Sequence, residues 1–342
     1  MTASDGTAPS CSRIPAVTYD MKAESNIDSG FGSLPDANCE RFPCPDEPYI
    51  YTSLRYDPMF VQSAENTKVS FNTPCPFYML EHHWTRMQVA NWSTQFWPRK
   101  LPTNCTGKPS EFLRRLTHAV RQWQQQNPEE ARKLAEDDES LRLRMRTYAS
   151  GRCTTEIWRI PRRPLACFFP DSFGDPHQAC AGDTEWSVVL DTQPTEVTDA
   201  TMFKIWDRTP QSRARADAGI TSLGTTKEVL LFNTDGEILD GSNSTPYFFR
   251  GGQWVTPISS SGGLQGTTRR WSLENGLCFE DVIVKESVVY GEVVWFSNAV
   301  RGYFKAVYHS CDLDAVERTT LPAECRYEMR LLLRRACADY SS

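Results

Sequence analysis

Glu228-Val-Leu-Leu-Phe-Asn-Thr-Asp-Gly-Glu-Ile-Leu-Asp-Gly-Ser-Asn243 is the stretch on which the fold turns. Glu228-Val-Leu-Leu-Phe232 reads as a buried strand, and Asn233-Thr-Asp-Gly236 bounds it with turn-forming residues. Downstream, Tyr247-Phe-Phe-Arg-Gly-Gly-Gln-Trp-Val255 predicts two short strands hinged at Gly251-Gly252. Thr268 to Leu277 has helical spacing, and Val293-Val-Trp-Phe296 reads as another strand. The second half thus alternates helix and strand.

Upstream, Tyr49 to Tyr56 alternates as a strand that Pro58 ends. Phe77 to Phe96 carries Met79, His82, His83, Arg86, Met87 and Ala90 at helical spacing. Ser110 is a candidate N-cap for a second helix, with Phe112, Leu113, Leu116, Ala119, Val120 and Trp123 on its apolar stripe. Asn127-Pro128 interrupts it, and Glu129 to Arg146 predicts a further, charge-laced helix. After Ala149-Ser-Gly-Arg152 the period becomes two, with strands at Thr155, Ile157 and Arg159 and at Trp186 to Leu190. Thr192-Gln-Pro-Thr-Glu-Val-Thr198 is polar and proline-containing, as a linker is. These readings divide the chain into an arm over 1–45, a smaller α/β domain over 46–191, a linker over 192–198 and a larger domain over 199–342.

Composition bounds the chemistry. The 342 residues allow about two domains at roughly 100–200 residues each. Thirty-seven Lys+Arg against 43 Asp+Glu give a formal charge of −6, with no overall attraction to nucleic acid or anionic membrane. No run approaches the roughly 18 apolar residues of a spanning helix, and the first residues lack the pattern of a secretory signal, so a cytoplasmic location is expected. Twelve cysteines occur without a CxxC pair, and His82 and His83 are adjacent rather than i, i+4. Free buried thiols, and no metal, are the expectation.

No Ser/His/Asp set, P-loop or GxGxxG fingerprint is present. Gly262-Gly263-Leu-Gln-Gly266 precedes a helix and is followed by Thr267-Thr268-Arg269. Free N–H groups, two hydroxyls and a cation suit either a helix cap or a phosphate site.

Motif order discriminates further. Phe203-Lys204-Ile-Trp-Asp-Arg208 precedes Glu228-Val-Leu-Leu-Phe-Asn233 and Gly236-Glu-Ile-Leu-Asp-Gly-Ser-Asn243. Trp254-Val-Thr-Pro257, Gly262-Gly-Leu-Gln-Gly-Thr-Thr-Arg269 and Glu292-Val-Val-Trp-Phe-Ser-Asn298 follow. The series resembles the class IV, fold-type IV pyridoxal-phosphate enzymes. They include branched-chain and D-amino-acid aminotransferases and 4-amino-4-deoxychorismate lyase. The likeness is greatest to fungal aminodeoxychorismate lyase-like proteins, in the segments Ser53-Leu-Arg-Tyr-Asp-Pro58 and Gly266-Thr-Thr-Arg-Arg-Trp271.

The resemblance implies a two-domain α/β (α+β) fold with pyridoxal 5'-phosphate at the domain interface, and a homodimer. It implies that Lys204 carries the cofactor and moves protons, and that Arg86, Thr267 and Thr268 hold its phosphate. Asp240 stands where the family has a glutamate facing the pyridine nitrogen, one methylene shorter; Phe203 and Thr245 are further departures. Asn298 would hold cofactor or substrate. Arg301, Arg55 and Arg208 are candidates for substrate carboxylates, by the bidentate pairing a guanidinium allows. The expected reaction converts 4-amino-4-deoxychorismate, a small anion, to 4-aminobenzoate and pyruvate. A class IV aminotransferase and a relative without cofactor chemistry are the alternatives.

Overall fold

The computed structural model describes residues 17–21, 47–93, 107–175, 186–222 and 225–309. The rest of the arm, the end of the helix expected to reach Phe96, and the chain beyond 309 lie outside the described residues.

The first sheet comprises β1 (Val17–Met21), β2 (Tyr49–Tyr56), β3 (Glu139–Tyr148) and β4 (Cys153–Pro161). All pair antiparallel, in the order β1-β4-β3-β2. Between β2 and β3 the chain forms α1 (Ala64–Lys68), α2 (Leu80–Ser93), α3 (Pro109–Gln126) and α4 (Pro128–Glu136). Phe112, Leu116, Ala119, Val120 and Trp123 of α3 share a core with Leu141, Leu143 and Met145 of β3 and with Leu54. Each fully buried side chain of this size contributes about 1.5–3 kcal/mol. Side chains alternate across a strand, so Arg142, Arg144 and Arg146 stand on the face away from that core.

The helix expected over 129–146 therefore ends early. Its part from Glu139 onward is β3, because Leu141, Leu143 and Met145 repeat with period two. The helix predicted from Ser110 is capped two residues earlier, by the backbone of Lys108, with Pro109 in its first turn.

The second sheet comprises β5 (Trp186–Leu190), β6 (Lys227–Phe232), β7 (Ile238–Gly241), β8 (Thr245–Arg250), β9 (Gln253–Pro257), β10 (Phe279–Asp281), β11 (Val293–Asn298) and β12 (Gly302–Tyr308). Their order is β10-β9-β8-β11-β12-β5-β6-β7. β12, β5 and β6 run parallel, and most other neighbours are antiparallel. Strand, more than a helix–strand alternation, makes up this half; its helices are α5 (Asp199–Met202), α6 (Thr209–Asp217) and α7 (Thr267–Glu274). Trp186–Leu190, placed by sequence before the linker, pairs with β12 and β6 and so belongs to the second sheet. The predicted linker at 192–198 lies inside this half, where Thr195 N–H bonds the Phe232 carbonyl at 2.8 Å.

Among the described residues, Cys75, Cys153, Cys167 and Cys278 are free thiols, and no group of side chains is arranged to hold a metal ion. No described helix is long and apolar enough to cross a membrane.

The two sheets meet along β2. Its Tyr51 N–H bonds the Lys204 carbonyl at 2.9 Å, and its Arg55 N–H bonds the Ala299 carbonyl at 3.1 Å. On the far side, the loop before α7 presses on β7: a Cβ at Gly263 would lie 1.8 Å from the Leu239 carbonyl oxygen. Gly263→Ala must displace backbone there, and is expected to cost at least about 1–3 kcal/mol. Chemical denaturation will read this as a lower midpoint at unchanged slope.

Candidate active site

The face of β2 and β3 that looks away from the helical core forms one wall of an open cleft with a cavity volume of about 170 Å³. Tyr51 and Ser53 of β2 and Arg142 and Arg144 of β3 line it. The opposite wall comes from the second sheet: Glu228, Asp240, the start of α7, and the turn from Asn298 to Arg301. Of the residues singled out from the sequence, Arg86, Lys204, Arg208, Asp240, Thr267, Thr268, Asn298 and Arg301 all line this one cleft.

Lys204 is fixed by its own backbone. Its carbonyl accepts from Tyr51, Ile205 bridges to Ile50, and Trp206 N–H bonds the Tyr49 carbonyl at 3.0 Å. Its ammonium lies 5.4 Å from the centre of the Tyr51 ring. Desolvation holds the Lys204 pKa well below the ordinary lysine value, and the guanidiniums of Arg208 and Arg86 lower it further; Asp240 opposes them. The shift is toward the neutral amine, the form that is nucleophilic and basic.

Arg86 reaches the cleft from α2. Its Nη2 donates to Thr52 Oγ1 at 2.7 Å, and the same hydroxyl lies 2.6 Å from His83 Nδ1. One helical turn before Arg86, His82 Nδ1 donates to the Thr267 carbonyl at 3.3 Å, and its Nε2 is 3.2 Å from Glu274. The two histidines thus place the arginine beside the start of α7. There Gly266 is the N-cap, and the first-turn N–H groups have no partner within the helix. Thr267 Oγ1 and Arg86 Nε are buried without a hydrogen-bond partner among the described residues. Thr268 is committed: its Oγ1 accepts from Ser297 at 2.8 Å, and its carbonyl accepts from Ser272 and Tyr303.

Asp240 ends β7 facing the cleft. Burial raises its pKa to about 7, Arg208 and the Gly241 N–H lower it, and Glu228 raises it. Glu228 is the buried support of this corner. Its Oε1 accepts from Ser242 N–H at 3.1 Å and from Val229 N–H at 3.0 Å, which fixes the turn after Asp240. Desolvation raises the Glu228 pKa as well.

Asn298 serves the chain. Its Oδ1 accepts from Val300 N–H at 3.0 Å and Arg301 N–H at 2.8 Å, and its Nδ2 donates to Ser244. Those bonds shape the turn that presents Arg301, whose guanidinium lies 4.1 Å from the centre of the Trp186 ring. Arg208 donates to the Ala200 carbonyl at 3.3 Å.

Arg55 is the exception, and the expectation that it meets substrate is corrected. It is 1% exposed and does not line the cleft. Its guanidinium donates to Ser140 Oγ at 2.8 Å and to the carbonyls of Pro161 and Val300, and stacks on Phe168. It is a buried tie between strands. Sequence reasoning also passed over Glu228, Arg142 and Arg144. The signal for the arginines was Leu141-Arg-Leu-Arg-Met-Arg146, an alternation read there as helical.

Residues 176–307 match the family model described as Amino-transferase class IV. A protein of Schizosaccharomyces pombe inferred to be an aminodeoxychorismate lyase is 33% identical over 129 residues, covering 36% of this chain and 54% of that protein. The chain thus spans about half the length of this curated relative. An inferred amino-acid aminotransferase from Mesorhizobium loti shares the fold at a TM-score of 0.50 and 18% identity, over 77% of this chain and 100% of that one. The architecture is that of the fold-type IV enzymes. The second half of the chain, over residues 176–307, is thus similar to the class IV aminotransferases.

Two outcomes test this geometry. Arg55→Gln should cost about 3–5 kcal/mol of stability, since it leaves buried partners of a charge unsatisfied, while inorganic phosphate binding by the folded fraction is unchanged in calorimetry. The second concerns pH. The Asp240 pKa of about 7 in the fold exceeds the roughly 3.9 of an unfolded aspartate, so folding takes up a proton in between. In cofactor-free protein the Asp240 contribution is full below about pH 4 and lost as pH rises through about 7. Asp240→Asn should flatten that decline in a pH series of denaturation midpoints.

Proposed function

We propose that the chain is a pyridoxal-phosphate-dependent lyase that converts 4-amino-4-deoxychorismate to 4-aminobenzoate and pyruvate. One observation carries the reading: a desolvated lysine, a carboxylate and an unsatisfied Arg–Thr pair at a helix start converge on one cleft. The unpartnered Arg86 Nε and Thr267 Oγ1 fit the phosphate of the cofactor. Arg86, Thr267 and the first N–H groups of α7 would hold it, and Asp240 would hold the proton of the ring nitrogen. Bound there, the group supplies an electron sink for charge developing at the carbon that bears the substrate amine.

The chain's own residues do the rest. Lys204, kept neutral by burial and by Arg208 and Arg86, takes the proton from that carbon. Tyr51 beside it limits the positions its amine can reach. Arg301 orients a carboxylate of the substrate. Lys204 delivers that proton to the methylene carbon of the enolpyruvyl group as its ether bond to the ring breaks; the group leaves as pyruvate, the ring becomes aromatic as 4-aminobenzoate, and the two products account for every substrate atom.

The likeness to the fission-yeast protein supports the lyase over an aminotransferase. So does the charge of the cleft, since Arg86, Arg142, Arg144, Arg208, Arg215 and Arg301 line it against Glu228 and Asp240. A branched-chain side chain would gain little there. Two molecules of the chain are expected to pair as a homodimer.

Protein loaded with pyridoxal phosphate and mixed with aminodeoxychorismate should release 4-aminobenzoate and pyruvate in equal amounts. Amino transfer to a 2-oxo acid with no 4-aminobenzoate would assign the aminotransferase instead. Lys204→Ala should lose the visible absorption of the loaded protein and at least about 10³-fold in rate. Asp240→Glu, which restores the longer carboxylate, should keep or raise the rate; complete loss would count against the ring-nitrogen role.

A further inference from the structure

We infer that Arg142, seconded by Arg144, is a subsite for a second carboxylate of the substrate, so that the cleft selects an amine bearing two anionic groups. The inference rests on the lyase reading and names the specificity of the same site.

β3 places Arg142 and Arg144 on the cleft wall, and the pairing with β2 sets their depth. Arg144 stands opposite Ser53, and Arg142 opposite Arg55. Arg55 is bonded through its backbone to Ala299, whereas Tyr51 is bonded to Lys204. Arg142 therefore lies toward the Ala299 end, and Lys204 marks the other. The three β3 arginines are not equally occupied. Arg146 pairs with Glu156 at 2.8 Å, while Arg144 approaches it only to 3.7 Å. Arg142 lies 5.0 Å from the centre of the Trp158 ring, and among the described residues no carboxylate or carbonyl accepts from it. The Nε atoms of all three are buried without a partner, so what separates them is the carboxylate that Arg146 holds.

A partly buried guanidinium whose Nε has neither water nor an acceptor destabilises the fold, and stacking on one indole offsets only part of that cost. An apolar residue would serve stability better at this position. The other cationic groups of the cleft have partners or a task. Arg208 and Arg215 donate to the carbonyls of Ala200 and Ser242, and Arg86 faces the phosphate end with Thr267. What remains is Arg301 on one wall and Arg142 with Arg144 on the other. Two separate guanidinium sites fit two carboxylates, and a monocarboxylate amino acid would leave one of them empty.

The test uses the cofactor-loaded protein and two unreactive ligands. Chorismate carries a hydroxyl where the substrate has its amine and keeps both carboxylates; 4-hydroxybenzoate has the ring carboxylate alone. Calorimetry should show chorismate bound at least about tenfold more tightly, the strength of one charge-assisted pair. Arg142→Gln should bring that ratio near one while 4-hydroxybenzoate affinity and cofactor absorption stay unchanged. It should also raise KM for aminodeoxychorismate about tenfold, with a smaller effect on kcat. A wild-type ratio near one, or a ratio unmoved in Arg142→Gln, overturns the subsite. Should that variant not fold, Arg142→Lys keeps the charge and loses the planar fork; a lowered ratio supports the subsite, and a wild-type ratio overturns it. The two readings fail separately. A ratio that collapses in the variant when wild type forms no 4-aminobenzoate leaves the subsite and removes the lyase; 4-aminobenzoate formed with an unmoved ratio does the reverse.

Discussion

Everything at the cleft depends on the outer edge of β2. A strand edge presents unpaired N–H and C=O groups that must find partners or water. Here they find the second half of the chain, at Lys204 near one end and Ala299 near the other. Four residues of extended chain separate Tyr51 from Arg55, about 13 Å. Over that span the residues alternate: Tyr51 and Ser53 face the cleft, whereas Ile50 and Leu54 enter the helical core. Each bond contributes only about 1 kcal/mol net. Their larger effect is geometric, because they fix which atoms of the two walls oppose each other. The Lys204 backbone is thereby held by a sheet-like pairing, although the residue itself lies in no strand.

Burial does different things to the groups it encloses. It pushes Lys204 down and Asp240 up, each toward its neutral form, and the arginines then separate them. Arg208 works against burial at Asp240 and with it at Lys204. A single desolvated, cationic cleft thus shifts an amine and a carboxyl in opposite directions, each toward its neutral form. The histidines act at longer range. His82 and His83 touch Thr267 and Thr52, and so fix the helix that carries Arg86 relative to both walls.

The strands and turns of the second half were legible because their signals are local. Gly251 and Gly252 hinge β8 and β9 with positive φ, as their spacing suggests. The order of motifs there carried Lys204, Asp240 and Thr267 to one place. Two kinds of information were not local. β3 was misread because a run of alternating Leu and Arg looks like an amphipathic, ion-paired helix until a partner strand is known. Arg55 was misassigned because an isolated arginine is identical, in sequence, whether it meets a ligand or buries itself on Ser140 and Pro161. Which of the two occurs depends on contacts more than 80 residues away in the chain, with Ser140, Pro161 and Val300.

The formal charge of −6 is likewise misleading as a guide to the site. A total says little at distances beyond the roughly 8 Å over which salt screens surface charge. Along the cleft the screening is weaker than in bulk water, so the six arginines that line it set the local potential. Outside it, acidic side chains neutralise the other arginines in surface pairs such as Arg132–Glu129 and Arg270–Glu274, which are worth little in energy. The acidic excess keeps the surface from attracting unrelated polyanions. Attraction is confined to a concave site where the arginines are fixed by stacking on Trp158 and Trp186. The local potential of the cleft therefore comes from where the positive charges are exposed, and the sign of the total has no bearing on it.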